Sequence, residues 1–454
     1  MKIIIAGAGK IGESLAGILV SEGHDLTVID RDPDTIRHIS NTVDAICVEG
    51  SATNPEVLAE AGAAEADLIV AAMQSDEINM ICGIAARKLG AKNVVARIRD
   101  PQYLSQRKFL RDALGLDLII NPEYECAKEI SRILRMPGAA RVEAFPKSNA
   151  EIVEFRVAAG SPLAGVRLSE LDAKTRSKVL IAAIERSDSL IIPGGRESIS
   201  AGDRISVIGA APEMRKFFTA AGEYRKPAKR VVIMGGGRIS VYLARLLHEN
   251  GISSTVIDRN RDHCELLADY LPKSRIICGD TAQSDVLSEN GIDSADAFIA
   301  LTGDDGDNIV TSMYAASRGV NKIITRVDHS HYLKMLDGSP LESLVTPRTV
   351  ISQQIAKYVR ALNNSADSGM EALYRIANDN AEAVEFRIGE SCRCTDTPFK
   401  ELRLREHVLV AVIIRGSEVI IPRGSDALRA GDHAVIITKP GVIRNPDDIL
   451  EVSK

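Results

Sequence analysis

Lys2-Ile3-Ile4-Ile5-Ala6-Gly7-Ala8-Gly9-Lys10-Ile11-Gly12 opens the chain and decides its fold. The apolar run Ile3 to Ala6 reads as a buried strand. It breaks at Gly7, and a helical pattern follows, with Ile11, Leu15, Ile18 and Leu19 at i, i+4, i+7 and i+8. The turn between them is G-x-G-x-x-G. In a dinucleotide fold Gly7 makes the tight turn, Gly9 lets the backbone approach a pyrophosphate, and Gly12 lets the helix sit close on its strand. The helix N-terminus adds free N–H donors and positive potential for phosphate. The next strand, Leu26-Thr27-Val28-Ile29, ends on Asp30, 18 positions past Gly12. That is close to the spacing of about 20 expected of a ribose-binding carboxylate.

Working outward, the second half restates the first. Val231-Val232-Ile233-Met234-Gly235-Gly236-Gly237-Arg238-Ile239-Ser240 matches the opening stretch at an offset of 228, as does Asp258-Arg259 with Asp30-Arg31. Gly50-Ser51 matches Gly279-Asp280, and Leu68 to Ala72 matches Ala297 to Leu301; Asn79 matches Asn308, Gly90 Gly319, Arg97 Arg326 and Tyr103 Tyr332. Strands alternating with helices at this spacing predict a parallel sheet with crossover helices, and the repetition makes accidental glycines a poor explanation. Each unit then has an exit helix. Asn121-Pro122 precedes Tyr124, Ala127, Ile130, Ile133 and Leu134; Thr346-Pro347 precedes Val350, Ile351, Ile355, Tyr358 and Val359. These helices are expected to face away from the glycine turns. They either dock subunits or cover their own sheet; periodicity alone leaves both open.

A smaller module follows each unit. Ile152 to Val157 resembles Ala383 to Ile388, Ile191-Ile192-Pro193 matches Ile420-Ile421-Pro422, and Ala201-Gly202-Asp203 matches Ala430-Gly431-Asp432. Val179 to Ile184 and Val408 to Ile414 lie between and are strand-like. Glu223 to Lys229 and Asn363 to Gly369 read as linkers. The expected organisation is α/β: two Rossmann-like, doubly wound parallel-sheet domains at 1–140 and 229–361, each followed by a small α+β module, at 141–222 and 370–454.

Composition is that of a globular chain, with 45% hydrophobic and 26% charged residues. A net charge of -6 with both signs mixed argues against a nucleic-acid partner, which requires a basic face. Seven cysteines are scattered, except for Cys392 and Cys394. No C-x-x-C pair or histidine cluster suggests zinc, so no metal site is expected. Free thiols fit a reducing cytoplasm; Cys392 and Cys394 could hold a metal or form a strained link, but read first as loop cysteines. No signal peptide or membrane-spanning run is evident, so a membrane role would act through a partner.

The G-x-G-x-x-G opening, Asp-Arg after the second strand, the Gly-Ser-Ala-Thr and Gly-Asp-Thr turns and the two Ala-Gly-Asp modules resemble the Trk-system potassium uptake protein A family. Those proteins are built from tandem RCK (regulator of potassium conductance) units. The resemblance spans essentially the whole chain. It implies a cytoplasmic regulator peripherally attached to a membrane-embedded Trk potassium-translocating subunit. It further implies a tetrameric homo-oligomer ring and control by NAD(H) and by ATP or ADP.

In the first unit, Gly7, Ala8, Gly9, Lys10, Ile11 and Gly12 would line a pyrophosphate. Asp30 would accept hydrogen bonds from a ribose and repel a 2′-phosphate, favouring NAD(H), ATP or ADP over NADP(H). Arg31 would lie over the adenine or cap the next segment. Ser51, Met73, Gln74 and Arg97 end successive strands on the ligand side; their assignment leans partly on the resemblance. In the second unit the counterparts are Gly235, Gly236, Gly237, Arg238, Ile239, Asp258, Arg259, Asp280, Thr302 and Arg326, with Ser240 replacing the third glycine.

The competing class is an NAD-dependent oxidoreductase, which needs an acid or base held beside the nicotinamide. None of the eight histidines has an orienting carboxylate at a fixed spacing, and the small modules look too short for a substrate domain. Ligand binding itself is therefore the expected output, and the chain is not expected to be an enzyme.

Overall fold

The computed structural model describes every residue except 137–138, 146–149, 188, 223–227, 282, 337–338, 340, 342, 364–368, 378–379, 417 and 452–454. Most of the two linkers read from the sequence therefore lies outside the described residues. The chain forms two compact bodies. One joins Met1–Ser131 to Lys229–Val359, the other Arg132–Ala228 to Arg360–Lys454.

The first of these compact bodies holds both parallel sheets, one in each of two Rossmann units, called the first and second unit in chain order. Strands β1 (Lys2–Ala6), β2 (Asp25–Asp30), β3 (Ile46–Glu49), β4 (Leu68–Ala71), β5 (Val94–Arg97) and β6 (Leu118–Ile120) align in the order 3-2-1-4-5-6. This is the doubly wound order, with its switch point between β1 and β4. Both central strands are fully buried over their apolar stretches, as helices on both faces require. The helix Lys10–Ser21 buries Gly12, Leu15, Ala16 and Leu19. Ile11 and Ile18 are only half-buried, which rotates the inner face by one residue from the expected stripe.

Only glycine fits at two turns of the motif. Gly7 has φ +103°, and a Cβ there would stand 3.0 Å from the Met73 amide. A Cβ at Gly12 would stand 2.0 Å from the Gly7 carbonyl oxygen.

Next in the chain come β7 (Arg141–Ala144), β8 (Ala150–Arg156), β9 (Val179–Arg186), β10 (Ser189–Ile191) and β11 (Arg204–Ala210) of the first small module. Then β12 (Arg230–Met234), β13 (Ser253–Asp258), β14 (Arg275–Cys278), β15 (Ala297–Ala300), β16 (Lys322–Arg326) and β17 (Ser343–Val345) repeat the parallel order. Ser240 stands at the place of Gly12. Its hydroxyl donates to the Gly235 carbonyl, so the turn keeps its form by a hydrogen bond instead of close packing. Last come β18 (Met370–Ile376), β19 (Ala381–Arg387), β20 (Leu409–Arg415), β21 (Glu418–Ile420) and β22 (His433–Thr438) of the second small module.

The other compact body pairs the two antiparallel sheets, of orders β10-β9-β11-β8-β7 and β18-β19-β22-β20-β21, which are the same topology. They share one apolar core, in which Phe145, Ile152 and Ala183 meet Tyr374, Ala383 and Val435. Phe145 and Tyr374 pack edge to face at 4.9 Å. The Ala-Gly-Asp turns end in a buried aspartate paired with an arginine. Asp203 accepts two bonds of 2.8 Å from Arg186, and Asp432 accepts bonds of 2.9 and 2.8 Å from Arg415.

Burial works to raise the Asp203 carboxyl, but the Arg186 guanidinium and the Ser200 N–H outweigh it and hold it below its ordinary value. Asp203→Ala removes charge-assisted hydrogen bonds but leaves Arg186 a third exposed, so it is expected to cost about 2 kcal/mol in denaturant unfolding at neutral pH. Because the folded value is depressed, this stabilisation is complete above about pH 4 and is lost as pH falls through the folded value. The gap between wild type and variant should close in acid.

Cys392 and Cys394 are joined as a disulfide, which corrects the reading of both as ordinary loop thiols; the turn Cys392–Thr395 brings the two sulfurs together. Cys47, Cys82, Cys126, Cys264 and Cys278 are free.

Candidate functional site

The carboxyl edge of the first parallel sheet opens into a cleft of about 1040 Å³, near the upper end of ordinary ligand-site volumes. Gly7, Gly9, Lys10, Ile11, Asp30, Arg31, Ser51, Met73, Gln74 and Arg97 all line it. The sequence-predicted residues Ala8 and Gly12 support it from behind, both buried. Asp30 shapes the floor: its Oδ2 accepts the Ala8 N–H at 2.7 Å and its Oδ1 accepts the Asp32 N–H at 3.0 Å. Asp32 caps the helix Pro33–Thr42, so Arg31 is not a cap and lies exposed on the cleft wall.

The opposite wall comes from the second Rossmann unit. Gly237, Arg238, Ile239, Leu301, Arg326, Asp328, Pro347 and Arg348 face the same cleft. The helices Lys10–Ser21 and Arg238–Glu249 thus both begin at this cleft, capped by Gly9 and Gly237 without a side-chain hydrogen bond. Their first N–H groups stay available and both helix dipoles favour an anion. Sequence reasoning assigned Gly237, Arg238, Ile239 and Arg326 to a separate second site; in the structure they are also a wall of the first.

The remaining second-unit residues, Gly235, Gly236, Asp258, Arg259, Asp280 and Thr302, do not line this cleft. Asp258 repeats the Asp30 arrangement, accepting the Gly236 N–H at 2.7 Å and the Asn260 N–H at 2.9 Å. His263 Nδ1 stands 3.4 Å from its Oδ2, a neighbour that Asp30 lacks because Thr35 holds the matching position. Leu267 lies against the backbone at Gly236, where a Cβ would stand 2.2 Å from its Cδ1.

Arg97 lines the cleft among charged neighbours. Burial first, and then Arg99 and Arg238, push its guanidinium below the ordinary value, against the pull of Glu123 and Asp76. Its Nε is buried without a hydrogen-bond partner among the described residues, and so is Glu123 Oε2. Arg326 is held by Asp328 through bonds of 3.2 and 2.7 Å.

The exit helices do not face away from the motif. Pro122 and Glu123 line the cleft from one side, Pro347 and Arg348 from the other. Tyr242 of the second unit fixes this crossing. Its hydroxyl donates to the Arg99 carbonyl at 2.8 Å and accepts from Asn121 Nδ2 at 3.0 Å, and its ring meets Tyr124 edge to face at 5.5 Å. Burial pushes the phenol up to about 12, so it stays a neutral donor. In return, burial raises the Tyr358 phenol, with Asp117 and Arg87 of the first unit acting on it. Each exit helix therefore reaches the other half of its own chain, which neither sequence reading anticipated. Ile130 is fully buried within the chain.

Two positioning residues escaped functional reading although their repetition was visible. Asn79 donates to the Met73 and Arg97 carbonyls at 3.0 and 2.8 Å and accepts the Met73 N–H, clamping the ends of β4 and β5. Asn308 does the same for Thr302 and Arg326. Among the described residues five histidines do meet carboxylates in space: His24 with Glu22, His38 with Glu13, His263 with Asp258, His329 with Asp305 and His433 with Glu371. None of these histidines lines the cleft.

Two Rossmann units closing one anion-receptive cleft, each with its antiparallel module, define a protein of tandem RCK type. Family models for the TrkA-N domain match residues 3–122 and 231–347, and those for the TrkA-C domain match 152–222 and 383–449. The chain belongs to this family, the TrkA proteins. It is 33% identical over 440 residues to the Trk system potassium uptake protein TrkA of Vibrio alginolyticus, covering 96% of this chain and 95% of that one. It is 30% identical over 450 residues to the TrkA homolog of Archaeoglobus fulgidus, covering 99% and 100%. Among solved structures, the GsuK RCK domain is similar in fold, with a TM-score of 0.64 at 21% identity, covering 97% of this chain and 92% of that one. The GsuK channel bound to NAD gives the same score and identity over 97% and 77%. Among the described residues, no helix is long and apolar enough to cross a membrane.

Proposed function

We propose that this chain is the nucleotide-binding regulatory subunit of a potassium uptake system. It works at the cytoplasmic face of the membrane and gates a membrane-embedded Trk partner by binding NAD(H), ATP or ADP. The observation that carries this is the shared cleft. Two glycine turns, two helix N-termini and arginines from both halves meet where one nucleotide's phosphates would sit. A ligand bound there touches both halves, so it favours one of their arrangements over another by its differential contacts. The open space at Gly9, where a Cβ would meet nothing within 4 Å, supports the fit of a pyrophosphate against the backbone. Gly7, Ala8, Gly9, Lys10 and Ile11 would hold that group, Asp30 a ribose, and Arg97, Arg238 and Arg326 the charge of further phosphates. A coupling of about 1 to 3 kcal/mol would change a conformational ratio roughly 5- to 150-fold without turnover. The test is potassium flux in liposomes holding this protein with its partner. Flux should change when ATP, ADP and NADH are exchanged, and a non-hydrolysable ATP analogue should act as ATP does. Dependence on hydrolysis, or steady nicotinamide turnover with alcohols or acids, would overturn this reading.

The ring assembly rests on a second feature. Ile81 is 51% exposed on the helix Asp76–Leu89, beside Ile78 and Ile84; Val310, its counterpart, is 68% exposed on Asp305–Ser317, beside Met313. An apolar stripe repeated at matching positions of both halves suits contacts between copies. Ile81→Asp combined with Val310→Asp is expected to shrink the sedimenting particle while leaving circular dichroism intact. An unchanged particle would place the oligomer contacts elsewhere.

A further inference from the structure

The second small module carries a group of metal-competent side chains that the nucleotide cleft does not use. Glu371 lies at the irregularity of edge strand β18, between Met370 and Ala372, where the register with β19 shifts. Glu385 stands on β19 and is 1% exposed. His433 begins β22, the strand on the other side of β19, opposite Arg387. One ligand atom from each of Glu371, Glu385 and His433 lies within 4.8 Å of the others. His433 Nδ1 and Glu371 Oε2 are already 2.6 Å apart.

We propose that Glu371, Glu385 and His433 form a binding site for a divalent transition-metal ion. Two carboxylates and an imidazole converging on one point make a donor set whose charge a divalent cation matches. The site lies beside an apolar core, where such compensation counts most. Two carboxylate oxygens with one imidazole nitrogen suit Zn²⁺, Mn²⁺ or Ni²⁺ better than Ca²⁺ or Mg²⁺, which prefer oxygen alone. Metal–ligand bonds of about 2.0–2.2 Å in a tetrahedral site put neighbouring ligand atoms about 3.3–3.6 Å apart. Closing the group onto an ion therefore needs small movements, available to the side chains of His433 and Glu371, which are 22% and 20% exposed. The ion takes the place of the proton between those two and ties the edge strand to both inner strands.

The duplicate module gives an independent sign. There Glu154 holds the place of Glu385, and Arg204, opposite Arg156, holds the place of His433. A guanidinium is a permanent cation with no acceptor atom, so it offsets charge but cannot ligate. One copy thus keeps a fixed cation at this position, and the other presents a metal ligand.

The experiment is calorimetric titration of the chelator-treated full chain with Zn²⁺, Mn²⁺ and Ni²⁺, with thermal unfolding in parallel. One ion should bind per chain and raise the unfolding temperature. His433→Arg, which copies the first module, should abolish that binding; Glu371→Gln, at the strand edge, should weaken it and serves if the first variant misfolds. A Cys392→Ser, Cys394→Ser double variant should bind as wild type does, which separates this site from the sulfur pair beside Asp447. No binding by wild type, full binding by His433→Arg, or loss of binding only in the double cysteine variant would each overturn the proposal.

Discussion

Calorimetry on Gly9→Val is expected to show NADH and ATP affinities reduced at least about 100-fold, with the fold intact. Gly9 has φ −64° and ψ −175°, a conformation open to any residue, and its Cβ direction is clear. A valine there costs the helix cap about 1 kcal/mol. Its branched side chain, however, projects from the turn that lines the cleft and holds a pyrophosphate off the backbone N–H groups. Hydrogen bonds to charged groups contribute about 1.5–3 kcal/mol each, so losing two removes more than the 2.7 kcal/mol or so that corresponds to 100-fold. Gly7→Val is the contrasting control. It combines a left-handed φ with a clash at Met73, and it should lower stability as well as binding. Undiminished NADH affinity in Gly9→Val would move the nucleotide site elsewhere.

The fold was legible because its signals are local. Strand runs, helical stripes and glycines with a clear steric role, at Gly7 and Gly12, lie within a few residues of one another. The duplication then doubled every signal. The site was legible only half-way, since what Arg238 faces is decided by how one sheet is set against another. The sequence places Arg238 and Arg326 on the ligand side of their own sheet, whereas in the structure they also line the cleft of the first Rossmann domain. One signal was available. Tyr242 is a large phenol on a helix whose first-unit counterpart carries the small Ser14 at the same place. A buried hydroxyl needs a partner, which Asn121 and the Arg99 carbonyl supply. The clamps Asn79 and Asn308 could also have been inferred, because an amide repeated inside an amphipathic helix has no reason to recur except to satisfy backbone groups at the strand ends. The Glu371–His433 contact has no such local trace, because 62 residues separate its members.

Arg238→Ala should separate the two nucleotide classes. A dinucleotide presents two bridged phosphates, which the first unit's glycine turn can hold alone. ATP carries a third phosphate and more charge, and that charge extends toward the wall supplied by the second unit. Of the arginines on that wall, Arg238, Arg326 and Arg348, Arg326 is already committed to Asp328, whereas Arg238 acts on Arg97. Arg97 is held below its ordinary value by burial and by neighbouring cations, so an added phosphate relieves the repulsion between Arg97 and Arg238 as well as bonding to both. Removing Arg238 takes away one charge-assisted contact, about 1.5–3 kcal/mol, and leaves less repulsion to be relieved. ATP affinity is therefore expected to fall roughly 10- to 150-fold, and NADH affinity by no more than a few-fold. On the proposed reading, in which Arg238 links the phosphates to the second half, the flux response to ATP should flatten in proportion while the response to NADH persists. Equal weakening of both ligands would mean that Arg238 only supports the shape of the cleft. Unchanged ATP affinity would mean that the phosphates never cross to the second unit, and that the two halves must be coupled through the exit helices instead.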